Sequence, residues 1–169
     1  MESYFLLLHF SLIFLCIFVK KEIMYSGLLH THSGLRWIAL ILLVVAILNA
    51  LMSKGKNAYV KKDKMINLFT MISLHTQLLI GLILYFISPK VQFTAGWMGN
   101  SSLRFHGMEH LVGMVLAIVI ITIGRKKAEN ATTNHLKHKK ILTWYTLGLI
   151  LILAFIPWPF REVLGGAWF

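Results

Sequence analysis

Four long apolar stretches constrain this chain more than any other feature: Gly34 to Ser53, Ile66 to Ser88, His106 to Gly124 and Ile141 to Pro159. A helix of about 20 residues rises about 30 Å, the thickness of the bilayer hydrocarbon. In lipid every backbone N–H and C=O must be bonded within the segment, so such stretches fold as helices. Charged residues make up only 14% of the chain and the mean hydropathy is +0.73, values suited to lipid rather than to water as the solvent. The expected fold class is all-α, an integral membrane four-helix up-down bundle.

The connections between the stretches set its orientation. The first carries Lys54, Lys56, Lys61, Lys62 and Lys64 against Asp63 alone. The third carries Arg125, Lys126, Lys127, Lys137, Lys139 and Lys140 against Glu129 alone. Together these two connections hold most of the formal charge of +11. The middle connection, Pro89 to Phe105, has only Lys90 and Arg104. Positive loops remain on the cytoplasmic side, so the first and third connections are placed inside. Trp37, Tyr85, Trp97 and Trp158 then fall near the outer boundary, and Tyr59 and Trp144 near the inner one, where amphipathic rings favour the interface. This segregation into short loops is a topology signal. It is not the aromatic-interleaved basic stripe of a nucleic-acid binder, and a nucleic-acid partner is excluded.

The N-terminus does not fit the same plan. Tyr4 to Val19 is apolar but short, and Lys20 and Lys21 follow it. If this segment spanned, those lysines would place the next helix start inside, against the charge of the two basic loops. It also lacks the basic start and small-residue cleavage site of a signal peptide. Residues 1–23 are therefore read as an apolar N-terminal segment arising from an upstream start site, with an interfacial or spanning helix as the alternative. Residues 24–169 form the four-helix transmembrane domain. The single cysteine, Cys16, excludes a disulfide framework and a CxxC metal site.

Eight histidines are unusual in such a chain, because ionisable side chains in a bilayer are costly and turn toward the bundle interior. Counted by helical rise, His75 comes near the midplane, and His110 lies one turn inside the outer boundary with His106 above it. His32 sits at the outer mouth of the first helix. His106, Glu109, His110, Gly113, Ala117 and Gly124 share one face of the third helix, while His32, Arg36, Ala39, Ala46 and Ala50 share one face of the first. Arg36 and Glu109 are close in depth and are expected to pair. On the second helix Thr70, Ser73, Gln77 and Gly81 form a small polar face, with His75 almost opposite. The pattern leaves open which of the two looks inward.

Imidazoles on facing helices can clamp a flat macrocycle through its iron, so these residues point to haem b. The candidate ligands are His32, His75 and His110, with His138 for a second haem nearer the cytoplasm. Gly113, one turn below His110, would let the macrocycle approach the backbone. Arg36 and Arg104 are candidate partners for the haem propionates. The competing reading is that the histidines bond between helices and serve packing alone. A zinc site is disfavoured because no thiolate supports the histidines, and Met65, Met71, Met98, Met108 and Met114 are too dispersed for copper. The Thr70, Ser73 and Gln77 face suits a quinone as well as it suits helix packing.

Several runs resemble a family of small bacterial membrane proteins labelled cytochrome b. They are Tyr25-Ser-Gly-Leu-Leu-His-Thr-His-Ser-Gly-Leu-Arg-Trp37, Leu74-His-Thr-Gln-Leu-Leu-Ile-Gly-Leu-Ile-Leu-Tyr-Phe86, Met108-Glu109-His110 and Ile156-Pro157-Trp158-Pro159. The resemblance covers residues 24 to 160 and begins at Met24. It implies a bacterial cytoplasmic (inner) membrane protein with haem ligated among His32, His75, His110 and His138. The expected function is a membrane-bound b-type cytochrome or cytochrome-like subunit. It would pass single electrons between a quinol and a redox partner protein or larger membrane complex. The alternatives are a non-catalytic structural subunit and a small proton-relay or transport component using His75, Glu109 and His110. No nucleophile–base arrangement or phosphate-cradling loop appears, which disfavours hydrolysis and phosphoryl transfer.

Overall fold

The computed structural model describes residues 2–53, 58–166 and 168, with side chains from Glu22 onward. Four long helices carry the fold: α1 (Glu2–Ser53), α2 (Lys61–Ile87), α3 (Ser101–Glu129) and α4 (Asn134–Phe155). Short 3₁₀ turns at Trp97–Gly99 and Glu162–Leu164 complete the elements, and no strand occurs among the described residues.

All four helices start outside the apolar stretches, and for α2, α3 and α4 capping groups rather than hydropathy set the start. Asp63 accepts the N–H of Val60 at 2.7 Å, which starts α2 in the lysine-rich loop. Asn100 accepts the N–H groups of Ser102 and Leu103, both at 3.0 Å, and starts α3 five residues before His106. Thr133 accepts the N–H of Leu136 at 3.2 Å and starts α4. Each side chain satisfies donors that the first turn leaves open. The last helix ends earlier than its apolar run, at Phe155, since Pro157 cannot continue it. In α1 the backbone runs through Met24 as continuous helix. The side chains of His9, Lys20 and Lys21, and residues 54–57 with Lys54 and Lys56, lie outside the described residues.

Cross-helix contacts show the pairings. α1 packs on α2 and α4, α3 packs mainly on α4, and α2 meets α3 only lightly. Tyr25 reaches Ser88 at one end of the α1–α2 pair, and Asn49 donates to Asp63 at the other, so these two helices are antiparallel. Between α3 and α4 the packing runs through glycines. A Cβ on Gly124 would lie 2.1 Å from Trp144 Cβ, and one on Gly148 would lie 2.3 Å from Ile121 Cγ1. Only hydrogen fits there, which lets the two backbones approach closely. Ala39, Leu43, Ala46, Ala50, Ala117, Ile121 and Tyr145 form the dry interior.

Outside that interior the surface is apolar. Ile38, Ile41 and Leu48 on α1, Leu116 and Val119 on α3, and Leu147 and Ile150 on α4 are exposed. Water would reject a surface of this kind over the whole length of four helices. All four are long and apolar enough to cross a membrane, the character of a multi-pass membrane protein.

Candidate functional site

One end of the fold holds a cavity of about 220 Å³ between α1, α2, α3 and the segment after α4. It exists because α2 and α3 hardly touch, so side chains of the surrounding helices face a gap. Most of its wall is apolar, from Leu40, Leu74, Leu78, Met114 and Ile152 among others, and the polar groups are few. They include His32, Arg36, Gln77, Lys90, His106 and His110.

His32 and His110 face each other there, with ring centres 6.5 Å apart and planes at 74°. The Nδ1 of His110 lies 2.7 Å from the carbonyl oxygen of Phe155. A carbonyl only accepts, so Nδ1 carries the proton and Nε2 keeps a lone pair. That arrangement, one ring nitrogen held by a backbone carbonyl, is how ligating imidazoles are commonly oriented. His106 is held in the same way by Ser102, at 2.9 Å within its own helix. The ring of His32 lies over Gly81, where a Cβ would stand 3.0 Å from its Cε1. Gln77 donates to the His32 carbonyl at 2.8 Å. Its own Oε1 and the Nδ1 of His32 are both buried without a hydrogen-bond partner. A group able to bond these two atoms would remove the cost of burying them in an apolar cavity.

A π turn over Phe105–Glu109 interrupts α3 at the cavity. The N–H of His110 reaches back five residues to Phe105, and the hydroxyl of Tyr85 on α2 donates to the Gly107 carbonyl at 2.8 Å. Such turns are rare and concentrate at functional sites. His106 and His110 both lie on the cavity wall at this turn. The Phe105 ring packs behind them, with its centre 5.5 Å from that of His106 and 5.8 Å from that of His110.

The expected residues thus divide. His32, Arg36 and His110 come together at the cavity, with His106 beside them. His75 does not join them: it is exposed on the outer face of α2, with Nδ1 bonded to Met71 of its own helix at 2.8 Å. The polar face of α2 turns inward instead, where Thr70 donates to the Leu42 carbonyl at 3.1 Å and Gln77 reaches the cavity. A clamp between His75 and His110 therefore has no geometric basis, and neither does a second one between His75 and His138. His138 is buried at the opposite end, bonded to the Ala58 carbonyl at 3.0 Å and packed edge-on against Tyr59. It ties α4 to the α1–α2 loop. Burial there pushes the Tyr59 phenol above its ordinary range, with a hydrogen bond from Asn67 opposing the shift.

Three further expectations change. Glu109 pairs with Arg104 at 2.6 Å rather than with Arg36, because the π turn brings residues five apart onto one side. Arg104 also donates to the Met98 carbonyl and is not a cavity residue, whereas Arg36 donates to the Trp168 carbonyl at 2.8 Å on the cavity wall. Lys90, which donates to the Gly165 carbonyl at 2.8 Å, is the second cation at the wall and takes the place expected for Arg104. Its only signal in the sequence was its position just after the outer end of α2. Gly113 gives no room to a ligand, since the Phe155 ring fills the space beside it.

The fold and the cavity together define a class: an all-helical protein of multi-pass composition with a polar-tipped, histidine-bearing cavity near one end of its helices. No protein-family description, curated protein or solved structure matches the chain.

Proposed function

We propose that this chain is a membrane-bound b-type cytochrome, an up-down four-helix bundle in a bacterial cytoplasmic membrane that binds haem b between His32 and His110. The observation that carries the reading is the facing pair of imidazoles across an apolar cavity, one of them fixed with Nε2 unprotonated. Imidazoles on two facing helices would hold the iron of a haem between them and supply its ligand nitrogens.

The residues divide the work. His110 is held by Phe155, so its ligating nitrogen keeps one direction. His32 supplies the opposing nitrogen, and Gly81 is small enough for its ring to lie against α2. Arg36 and Lys90 stand where cations would meet carboxylates at the cavity wall. Leu40, Leu74, Leu78 and Met114 exclude water. Bound haem supplies a one-electron iron couple, whose potential responds to its axial ligands and to burial. By class, the donor is a membrane quinol and the acceptor a redox partner protein or a larger membrane complex.

The test is an absorption spectrum of the purified protein, oxidised and then reduced, beside that of His110→Ala. The expected result is a b-type reduced spectrum that the variant loses or shifts strongly. A colourless wild-type protein made with ample haem overturns the reading and leaves the histidines as packing groups of a structural subunit.

A further inference from the structure

The outer face of α2 presents Met65, Phe69, Ile72, Thr76, Leu79, Ile83 and Phe86, all exposed. Their spacing alternates between four and three residues, the repeat of a helix that lies along another helix. The stripe is about 32 Å long, the full thickness of the hydrocarbon. An outward face in lipid can show such spacing by itself. Its middle, however, is polar. Thr76 is exposed there, and so is His75 at the flank of the stripe.

Acyl chains cannot satisfy those groups. The Nδ1 of His75 is engaged with Met71, which as a carbonyl accepts its proton. Nε2 is then an acceptor facing outward, in a medium with no donor to offer. Burying such an acceptor against lipid is costly, and a neighbour with a hydroxyl at the same depth removes the cost.

We propose that a second copy of this chain covers this face, α2 against α2, about a two-fold axis along the membrane normal. The axis preserves depth, so each residue meets the partner's residues of similar number. Each His75 Nε2 comes opposite the hydroxyl of the other copy's Thr76, and the acceptor and donor occur twice by symmetry. Phe69, Ile72, Leu79 and Ile83 pack above and below them. A single polar position in an otherwise apolar seam also fixes register. The proposal is independent of haem, since His75 lies outside the cavity.

The test uses the full chain with Cys16→Ser, carrying Thr76→Cys or Leu79→Cys, with Val119→Cys on the exposed face of α3 as control. Oxidation in native membranes is expected to give a disulfide-linked pair of chains from the first two variants and not from the control. The mass of the wild-type protein in lipid nanodiscs is expected to be that of two copies. The double variant His75→Leu, Thr76→Val should weaken the pair about tenfold, the worth of two interhelical hydrogen bonds. A single-copy wild-type mass overturns the proposal, as does cross-linking through Val119 equal to that through Leu79. Adducts of other masses, which would assign the face to a different protein, overturn it too.

Discussion

Replacing Gly113 by alanine tests the link between helix packing and the cavity. The added Cβ would lie 2.3 Å from Phe155 Cγ, 2.5 Å from Cδ2 and 2.8 Å from Cδ1. Carbon atoms rest at about 3.5 to 4.0 Å, so the ring must retreat by more than about 1 Å. Turning the ring about Cβ–Cγ leaves Cγ in place, so the ring must swing about Cα–Cβ, and where its packed neighbours resist that swing α4 must shift with it. Overpacking of this kind costs about 1 to 3 kcal/mol. Alanine returns up to about 1 kcal/mol through its better helix propensity. The net expectation is a loss of about 1 to 2 kcal/mol. The same displacement moves the Phe155 carbonyl that holds His110, so the reduced spectrum should broaden or shift as well. Gly34→Ala is the matched control, since nothing lies within 4 Å of its Cβ position and only the propensity gain remains. Thermal unfolding followed by circular dichroism in detergent micelles, with absorption spectra of both variants, measures the two effects. A Gly113→Ala protein as stable as Gly34→Ala, with an unchanged spectrum, refutes the reasoning.

Reporters fused after Lys62, Asn100 and Asn134 should read cytoplasmic, external and cytoplasmic, and an external reading at Lys62 inverts the orientation. His138→Ala should lower the unfolding midpoint through its lost bond to Ala58 while leaving a reduced haem spectrum in place; loss of the spectrum in a folded variant would move a ligand to the other end of the fold. Arg104→Gln removes a partly exposed ion pair and should change stability by under about 1 kcal/mol, whereas Arg36→Gln should shift the midpoint potential; equal shifts from both would show that Arg104 shares the cavity's electrostatics.

The four helices were legible because span length and hydropathy are properties of single segments. Their ends were less so: Asp63, Asn100 and Thr133 are capping residues in polar loops, and a hydropathy window passes over them. His32 and His110 were legible as candidates because both are ionisable groups at the same end of parallel helices. The placement of His75 was not legible, because periodicity showed two opposite faces of α2 and nothing local chose between them. The choice is made by packing, through Thr70 on Leu42 and Gln77 on His32. The Arg104–Glu109 pair was hidden for another reason. Residues five apart do not face each other on an α-helix, and a π turn leaves no mark in composition.

That turn also has a genetic meaning. An α-helix closes its ring over four residues, so Phe105–Glu109 holds one residue more than the path requires. Deleting one residue between Phe105 and Gly107 lets the segment heal as ordinary helix, a change the backbone accepts readily. Everything before the scar then keeps nearly its present phase against everything after it, because the wide turn already absorbs the extra residue. Arg104 and Glu109 then stand four apart, the spacing of an ordinary α-helical ion pair, and the side chains between them change direction while His110 and the rest of α3 stay seated on α4. The extra residue therefore acts locally, on the stretch of cavity wall that carries His106, and a deletion there would alter that wall while leaving the helix on either side in place.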